Sequence, residues 1–305
     1  FEGLKIDFHA PIQRSRKIAG RLNKGIAHLF SKYRVEHVMA TGRVAAKGKV
    51  EWKGEDGKTD AAEAEKILIA TGARARNLPG IEIDGRSIIS SREAMILEKQ
   101  PKKLAIIGAG AIRCEFADFY NAMGTEVTII EFLPHLLPNE DEDCSILLER
   151  IFKKRGMNVM TASKTTKVEK AKDGVVLTVV SADESRGKEE KKIEADLCLL
   201  AVGVTGNIEG LFDEKLGVQI EKGHIKVNEK YETGVPAIWA TGDVIGPPWL
   251  AHVAHHEAVY CVERMFGVSD HTIDYRQIPG CTYTHPQVAS MGLTEKKARE
   301  GDAKL

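Results

Sequence analysis

Gly108, Gly110, Arg113 and Glu131 are the residues of this chain whose types and spacing speak most directly of chemistry. A glycine pair placed after an apolar run and before a helical pattern permits a tight turn. It also lets a dinucleotide pyrophosphate approach the backbone amides of a helix N-terminus. An acid at the end of the following strand can take hydrogen bonds from ribose hydroxyls and repels a 2′-phosphate, which favours NAD over NADP. Arg113 stands where the third glycine of G-x-G-x-x-G belongs. A long cation there is expected either to push helix from strand, at roughly 1–3 kcal/mol of overpacking, or to extend outward and meet the pyrophosphate. Weakened NAD binding is the expectation; a buried α/β core without a ligand is the alternative.

A second candidate is Thr241-Gly242-Asp243, which closes the apolar run Ile238-Trp239-Ala240. Small residues before an acid let a ligand come close to the backbone, and the carboxylate can accept from hydroxyls. An ordinary polar turn explains the same residues. His252, His255 and His256 are clustered without a further ligand set, so no metal site is expected. Cys114, Cys144, Cys198, Cys261 and Cys281 form no C-x-x-C or C-x-x-x-x-C pair. Cys114 and Cys198 read as inert buried thiols.

The elements that must position these residues follow from periodicity. Leu104 to Ile107 suit a buried parallel strand, and Ile112, Phe116, Phe119 and Met123 recur at helical spacing. Gly124 is placed as a helix C-cap, and residues 127–130 make the next strand. Upstream, residues 12–30 read as a helix with one apolar face and a solvated basic one. Residues 35–69 read as three short strands ending in KILIATG, and 73–100 as a connector with a short helix from Ser91. Downstream, the acids of NEDED open a helix that ends at Arg155-Gly156. A strand, a hairpin turning at Asp173-Gly174, a charged loop over 181–192 and the strand LCLLAVG come next. A helix follows GPPW, residues from Tyr275 turn β-like, and a polar helix starts at Glu295.

The 305 residues suggest two domains, with 43% hydrophobic content to form their cores. The 44 basic and 44 acidic residues cancel, so neither nucleic acid nor an acidic membrane is implied as a partner. No apolar run approaches the ~20 residues of a membrane span and no signal peptide is visible, which points to the cytoplasm or, in a eukaryote, the mitochondrial matrix. Two meanders ending in KILIATG and LCLLAVG look like copies of one nucleotide-binding unit, the first without its opening glycine turn. The chain is therefore expected to be a fragment.

The ordered set KILIATG, ISSREA, IIGAGAI-x-CEFA, TIIEFLPHLLP, LLAVG, IWATGDVIGPPWLAH and YTHPQVASMGLTE resembles the class I pyridine nucleotide–disulfide oxidoreductases, and within them the dihydrolipoamide dehydrogenase branch. The resemblance implies an α/β fold of tandem Rossmann-like FAD- and NAD(P)-binding domains. The NAD domain (102–231) is inserted in the FAD domain (1–101 and 232–277), and 278–305 begin an α+β interface domain. It places Gly42, Thr71, Gly72, Ala73, Asp243, Trp249, Leu250, Ala251 and His252 along FAD. Gly108, Ala109, Gly110, Ala111, Ile112, Arg113, Cys114, Glu115, Glu131, Thr165 and Gly203 then surround NAD, Thr165 standing where the family usually has valine. Glu115 matches a glutamate that pairs with a lysine beside the flavin.

The chemistry implied runs from dihydrolipoamide to a disulfide, to FAD and then to NAD+, in a homodimer whose partner subunit supplies a histidine base. Its implied partner is the lipoyl domain of a 2-oxoacid dehydrogenase or glycine cleavage complex. The disulfide motif and the His-Glu pair are not among these residues, so no catalytic residue is assigned and the chain alone is expected to be inactive. An NADH oxidase, a mercuric reductase and an inactivated, non-enzymatic nucleotide-binding module stay open as alternatives.

Overall fold

A computed structural model describes the chain over residues 6–183 and 189–301. Residues 1–5 and the centre of the charged loop, 184–188, lie outside the described residues, as do 302–305. In chain order the first elements are α1 (His9–Tyr33), β1 (Ala40–Ala46), β2 (Lys49–Gly54), β3 (Thr59–Glu63), β4 (Ile67–Ile69), β5 (Ala73–Ala75), β6 (Ile88–Ile89) and α2 (Ser91–Ala94). Then come β7 (Lys103–Ile107), α3 (Ala111–Ala122), β8 (Glu126–Ile130), α4 (Glu142–Lys154), β9 (Asn158–Met160), β10 (Ser163–Ala171), β11 (Gly174–Ser181), β12 (Lys191–Ala195) and β13 (Leu197–Leu200). The rest are β14 (Val204–Gly206), β15 (Ile220–Glu221), β16 (His224–Ile225), β17 (Ile238–Ala240), α5 (Ala251–Met265), β18 (Gly280–Thr282), β19 (Val288–Ser290) and α6 (Glu295–Glu300).

These elements form two compact units. One comprises Phe1–Leu22, Ala75–Gly203 and Arg276–Leu305, the other Asn23–Arg74 and Val204–Tyr275. The first is built on a five-stranded sheet in the order β6-β13-β7-β8-β9, parallel throughout. Alternate residues of β7 serve two cores. Leu104 and Ile106 pack with Cys114, Ala117 and Tyr120 of α3 and Leu148 and Phe152 of α4. Ala105 and Ile107 pack with Val175, Leu177 and Val179 of the β10-β11-β12 meander. A strand covered on both faces needs an unbroken apolar run, which is what its sequence supplies.

The second unit pairs β4 with β17 in parallel, Ile67 opposite Ile238 and Ile69 opposite Ala240. Ile67, Ile69, Ile238 and Ala240 form its core with Val44 of β1 and Ile225 of β16. Each unit thus carries a three-stranded antiparallel meander followed by a strand that joins a parallel pairing. That is the internal repeat, in structural form.

Several local expectations shift. KILIA is not the third strand of the first meander. That place belongs to β3, whose five residues are all exposed and carry no apolar signal. The second meander likewise closes with β12, before LCLLAVG. Residues 75–101, grouped by sequence with the FAD domain, fall in the unit of the five-stranded sheet, because β6 pairs with β13 and the Tyr120 hydroxyl of α3 donates to the Ala94 carbonyl at 2.6 Å. Residues 204–231 fall in the other unit, where β14 pairs with β5. Helix α1 buries no residue, and Leu22 and Ile26 are 66% and 50% exposed. No helix among the described residues is long and apolar enough to cross a membrane.

Candidate functional site

The glycine turn sits at the carboxyl end of β7, with β8 on one side and β13 on the other. Strand order switches there, which is where open α/β sheets bind ligands. Gly108 takes φ +93°, a conformation strained for any residue with a β-carbon. Its N–H donates to the Ile130 carbonyl at 2.7 Å, tying the turn to the end of β8 beside Glu131. Gly110 caps α3 in an extended conformation without a side-chain hydrogen bond, which leaves the Ala111 and Ile112 amides to an outside acceptor.

Arg113 follows neither course expected from sequence. Helix α3 stays packed, with Cys114 and Ala117 at 0% exposure. The side chain folds back over the turn. Its Nε, Cδ and Cζ lie 2.9, 3.0 and 3.2 Å from the place a β-carbon on Gly108 would take, and Cζ lies 3.2 Å from the corresponding place on Gly110. Nε is buried without a hydrogen-bond partner. Burial disfavours the guanidinium charge, and the Glu131 carboxylate partly offsets this.

Glu131 is buried at 6% exposure, and its Oε1 accepts the Leu133 N–H at 2.8 Å. Its backbone is held on both sides: the N–H donates to Met160 at 2.8 Å and the carbonyl accepts from Ser163 at 2.8 Å. Thr165, on β10, has a buried Oγ1 without a partner. Gly203 follows β13 at φ +107°, with nothing within 4 Å of where its β-carbon would stand. Ala109 and Cys114 are buried in the turn and first helical turn, whereas Ala111 and Ile112 are exposed. The Glu115 carboxylate accepts the Tyr283 N–H at 2.8 Å and borders a cavity of about 260 Å³ lined by Ile12, Arg16, Met95, Phe116 and Phe119.

For a dinucleotide, the turn itself fits: a switch-point glycine turn, two unpartnered helix amides and a fixed acid. The Arg113 side chain does not, because it fills the space above both glycines.

In the second unit, the Thr71-Gly72 turn follows β4 and the Gly242-Asp243 turn follows β17, at the same end of a parallel pair. Thr71 Oγ1 donates to the Asn207 carbonyl at 2.8 Å, Asn207 Nδ2 donates to the Thr71 carbonyl at 2.8 Å, and Asn207 N–H donates to the Gly72 carbonyl at 2.9 Å. The Gly242 N–H donates to Glu257 Oε2 at 2.7 Å, and Glu257 Oε1 accepts the Tyr275 hydroxyl at 2.7 Å. Burial raises the Glu257 carboxyl above its ordinary range; Asp243 is raised by the same cause, with His224 opposing.

Gly42 lies opposite Trp52, on the face of β1 that also carries the core residue Val44. Ala73 opens β5. Trp249 is 41% exposed and packs against the His224 ring at 5.7 Å; Leu250 caps α5, and Ala251 and His252 start it on the solvent side. His224 is buried with its Nδ1 unpartnered. An open Gly72, where a β-carbon would meet nothing within 4 Å, and this orphaned ring nitrogen suit a further ligand.

Three of these residues escaped sequence reasoning. Glu257 had a signal: it shares the buried face of α5 with Val253 and Cys261, one helical turn away on either side. An acid on an apolar stripe needs donors, and Gly242 and Tyr275 are those donors. Asn207 and His224 carried no pattern at all.

Cys114 and Cys198 are both fully buried. Burial pushes Cys114 and Cys198 up to about 12. Among the described residues no group of three or more His, Cys, Asp or Glu is placed to hold a metal ion.

A family profile described as pyridine nucleotide-disulphide oxidoreductase matches residues 4–258. The chain belongs to that family. It is 40% identical to a dihydrolipoyl dehydrogenase of Rhizobium etli, covering 97% of this chain and 64% of that protein. It is 37% identical to the leghemoglobin reductase of Glycine max (98% and 57%) and 38% identical to a mitochondrial dihydrolipoyl dehydrogenase of Pisum sativum (97% and 59%). The crystal structure of LpdA from Mycobacterium tuberculosis superposes with a TM-score of 0.88 at 26% identity, over 98% of this chain and 65% of that one. The α/β fold of tandem Rossmann-like units is thereby established, and the chain spans less than two thirds of the length of these relatives.

Proposed function

We propose that this chain carries the FAD- and NAD-binding parts of a dihydrolipoyl dehydrogenase, which passes electrons from dihydrolipoamide through a disulfide and FAD to NAD+. The observation that carries this reading is the 40% identity to such an enzyme over 97% of the chain. FAD, when bound, would supply the two-electron relay between the dithiol and the nicotinamide.

The chain's own residues have the following tasks in this reading. Asn207 and Glu257 fix the Thr71-Gly72 and Gly242-Asp243 turns, so that Asp243 meets hydroxyl donors without backbone rearrangement. Gly42, Ala73 and Trp249 to His252 line the flavin. Glu131 and Thr165 receive the adenosine side of the nucleotide, with Gly203 beside the glycine turn. Glu115 faces the flavin-side lysine. By function the domains are 1–101 with 232–277 for FAD, 102–231 for NAD and 278–305 for the interface, so that 75–101 and 204–231 serve one domain while packing in the other compact unit.

The assembled protein is a homodimer that serves the lipoyl domain of a 2-oxoacid dehydrogenase or glycine cleavage complex, in the cytoplasm or the mitochondrial matrix. The test is reduction of NAD+ by dihydrolipoamide, assayed on the complete gene product loaded with FAD. Turnover supports the reading; a flavin-loaded protein that reduces another disulfide or mercuric ion but not lipoamide replaces it with a different member of the family. The 305 residues alone should neither turn over lipoamide nor retain flavin on purification, and absorption near ~450 nm in the purified chain would count against that expectation. One observation favours a second reading, that of an inactivated nucleotide-binding module: Arg113 fills the pyrophosphate cradle.

A further inference from the structure

We propose that Arg113 is a displaceable internal plug of the glycine turn, so that the dinucleotide site of this chain is closed by its own side chain until a nucleotide evicts it. This deepens the dinucleotide reading of Gly108–Glu131 and rests on it.

Three observations converge. The guanidinium group occupies the space over Gly108 and Gly110, with atoms 3.2 Å or less from where either β-carbon would stand. Glycine serves at these positions because nothing but a ligand should come so close to the backbone. The backbone beneath is otherwise ready: Gly110 offers no side-chain cap, and the Ala111 and Ile112 amides of α3 have no hydrogen-bond partner among the described residues. The plug is also poorly held. Its Nε is buried without a partner, and no ion pair joins it to Glu131 among the described residues, although the two charges attract. Swinging the arginine into water restores its hydration and frees the turn. A tightly bonded side chain would abolish the site, whereas this one only taxes it.

The consequence is quantitative. If the plugged rotamer is held about nine tenths of the time, the apparent affinity for a dinucleotide falls roughly tenfold. Titrating the full chain with NADH, followed by nucleotide fluorescence, tests this for the unaltered protein, Arg113→Ala and Arg113→Gly. Thermal melts of the same samples establish that each is folded. A dissociation constant at least about tenfold lower in both variants is the expected result.

Equal affinities overturn the plug and leave the dinucleotide reading standing. Weaker binding in the variants also overturns it, and makes Arg113 a phosphate ligand instead. No binding by any folded form overturns the dinucleotide reading, and the plug with it. A crystal structure of the unaltered chain with NADH provides a check that needs no variant: the guanidinium should have left the space over Gly108 and Gly110, and finding it still there with nucleotide bound sinks the proposal.

Discussion

In the unit built on β4 and β17, the Gly242 amide is held by a buried carboxylate and the Thr71-Gly72 turn by Asn207. In the unit built on β7 and β8, the Gly108-Gly110 turn is held by a backbone bond to Ile130 and covered by a side chain of its own helix. The two turns share one arrangement, a glycine-containing loop at the carboxyl end of a parallel strand. They differ in where polar side chains have been placed. Glu257 and Asn207 hydrogen-bond the backbone of their turns, and the space over Gly72 stays open. Arg113 lies in front of its turn. Polar groups behind a turn preorganise it, and the same kind of group in front competes with the ligand.

The largest effect expected from this contrast is at Glu257. Replacing it with alanine strands the Gly242 N–H and the Tyr275 hydroxyl, and should cost about 2–4 kcal/mol in urea unfolding. Glu257→Gln keeps the shape and an acceptor and should cost much less. It should also change the pH response. Burial raises the folded carboxyl above its ordinary 4.5, so the folded state binds the proton more tightly than the unfolded one. Its contribution is therefore fully present below about pH 4.5 and is lost as pH rises through the folded value. The Gln variant should flatten that decline, leaving the smaller part due to Asp243, which burial raises in the same direction. Parallel slopes for the two proteins between pH 4 and 8 (a range of about four units) would show that Glu257 is not the titrating group.

A second charged cluster sharpens the comparison from inside the other unit. Asp118 of α3, 6% exposed, is paired with Arg155 beyond α4 and lies 3.3 Å from His285 Nδ1. Arg155→Met leaves a buried carboxylate facing only an exposed histidine, and a loss of about 1–3 kcal/mol is expected in the same unfolding assay. Arg113→Met should do the opposite, with stability unchanged or higher by up to about 1 kcal/mol, because a buried unpartnered Nε disappears. Two arginines of the same unit, one pairing and one plugging, then separate by the sign of their effect.

The site was legible in sequence where local pattern alone decides it. The glycines, the apolar run before them and the acid at 131 state a strand, a turn and a helix whatever surrounds them. What failed depended on distant partners. Nothing near KILIA says that it pairs with Ile238-Trp239-Ala240 rather than with its own meander. The exposed residues of β3 carry no apolar alternation because neither face is covered. The odd identity of Arg113 was visible, but its direction was not, since the choice among staggered rotamers is made by the space around α3. Glu257 was readable in principle from its place on the buried stripe of α5.

The smallest effect comes from Gly110, and it isolates the plug most cleanly. Gly108 and Gly110 both face Arg113, yet their backbones differ. Gly108 has φ +93°, so Gly108→Ala meets the strain of left-handed backbone, about 1–2 kcal/mol, wherever the arginine goes. Gly110 has φ −75° and ψ 179°, which alanine adopts freely, so its only obstacle is the guanidinium. If the plug is loosely held, the new methyl group evicts it, and Gly110→Ala should change stability by less than about 0.5 kcal/mol. Adding Arg113→Ala to the Gly110 variant should then bring no recovery, while a recovery above about 1 kcal/mol in this double-mutant cycle would mean that the guanidinium is anchored rather than displaceable.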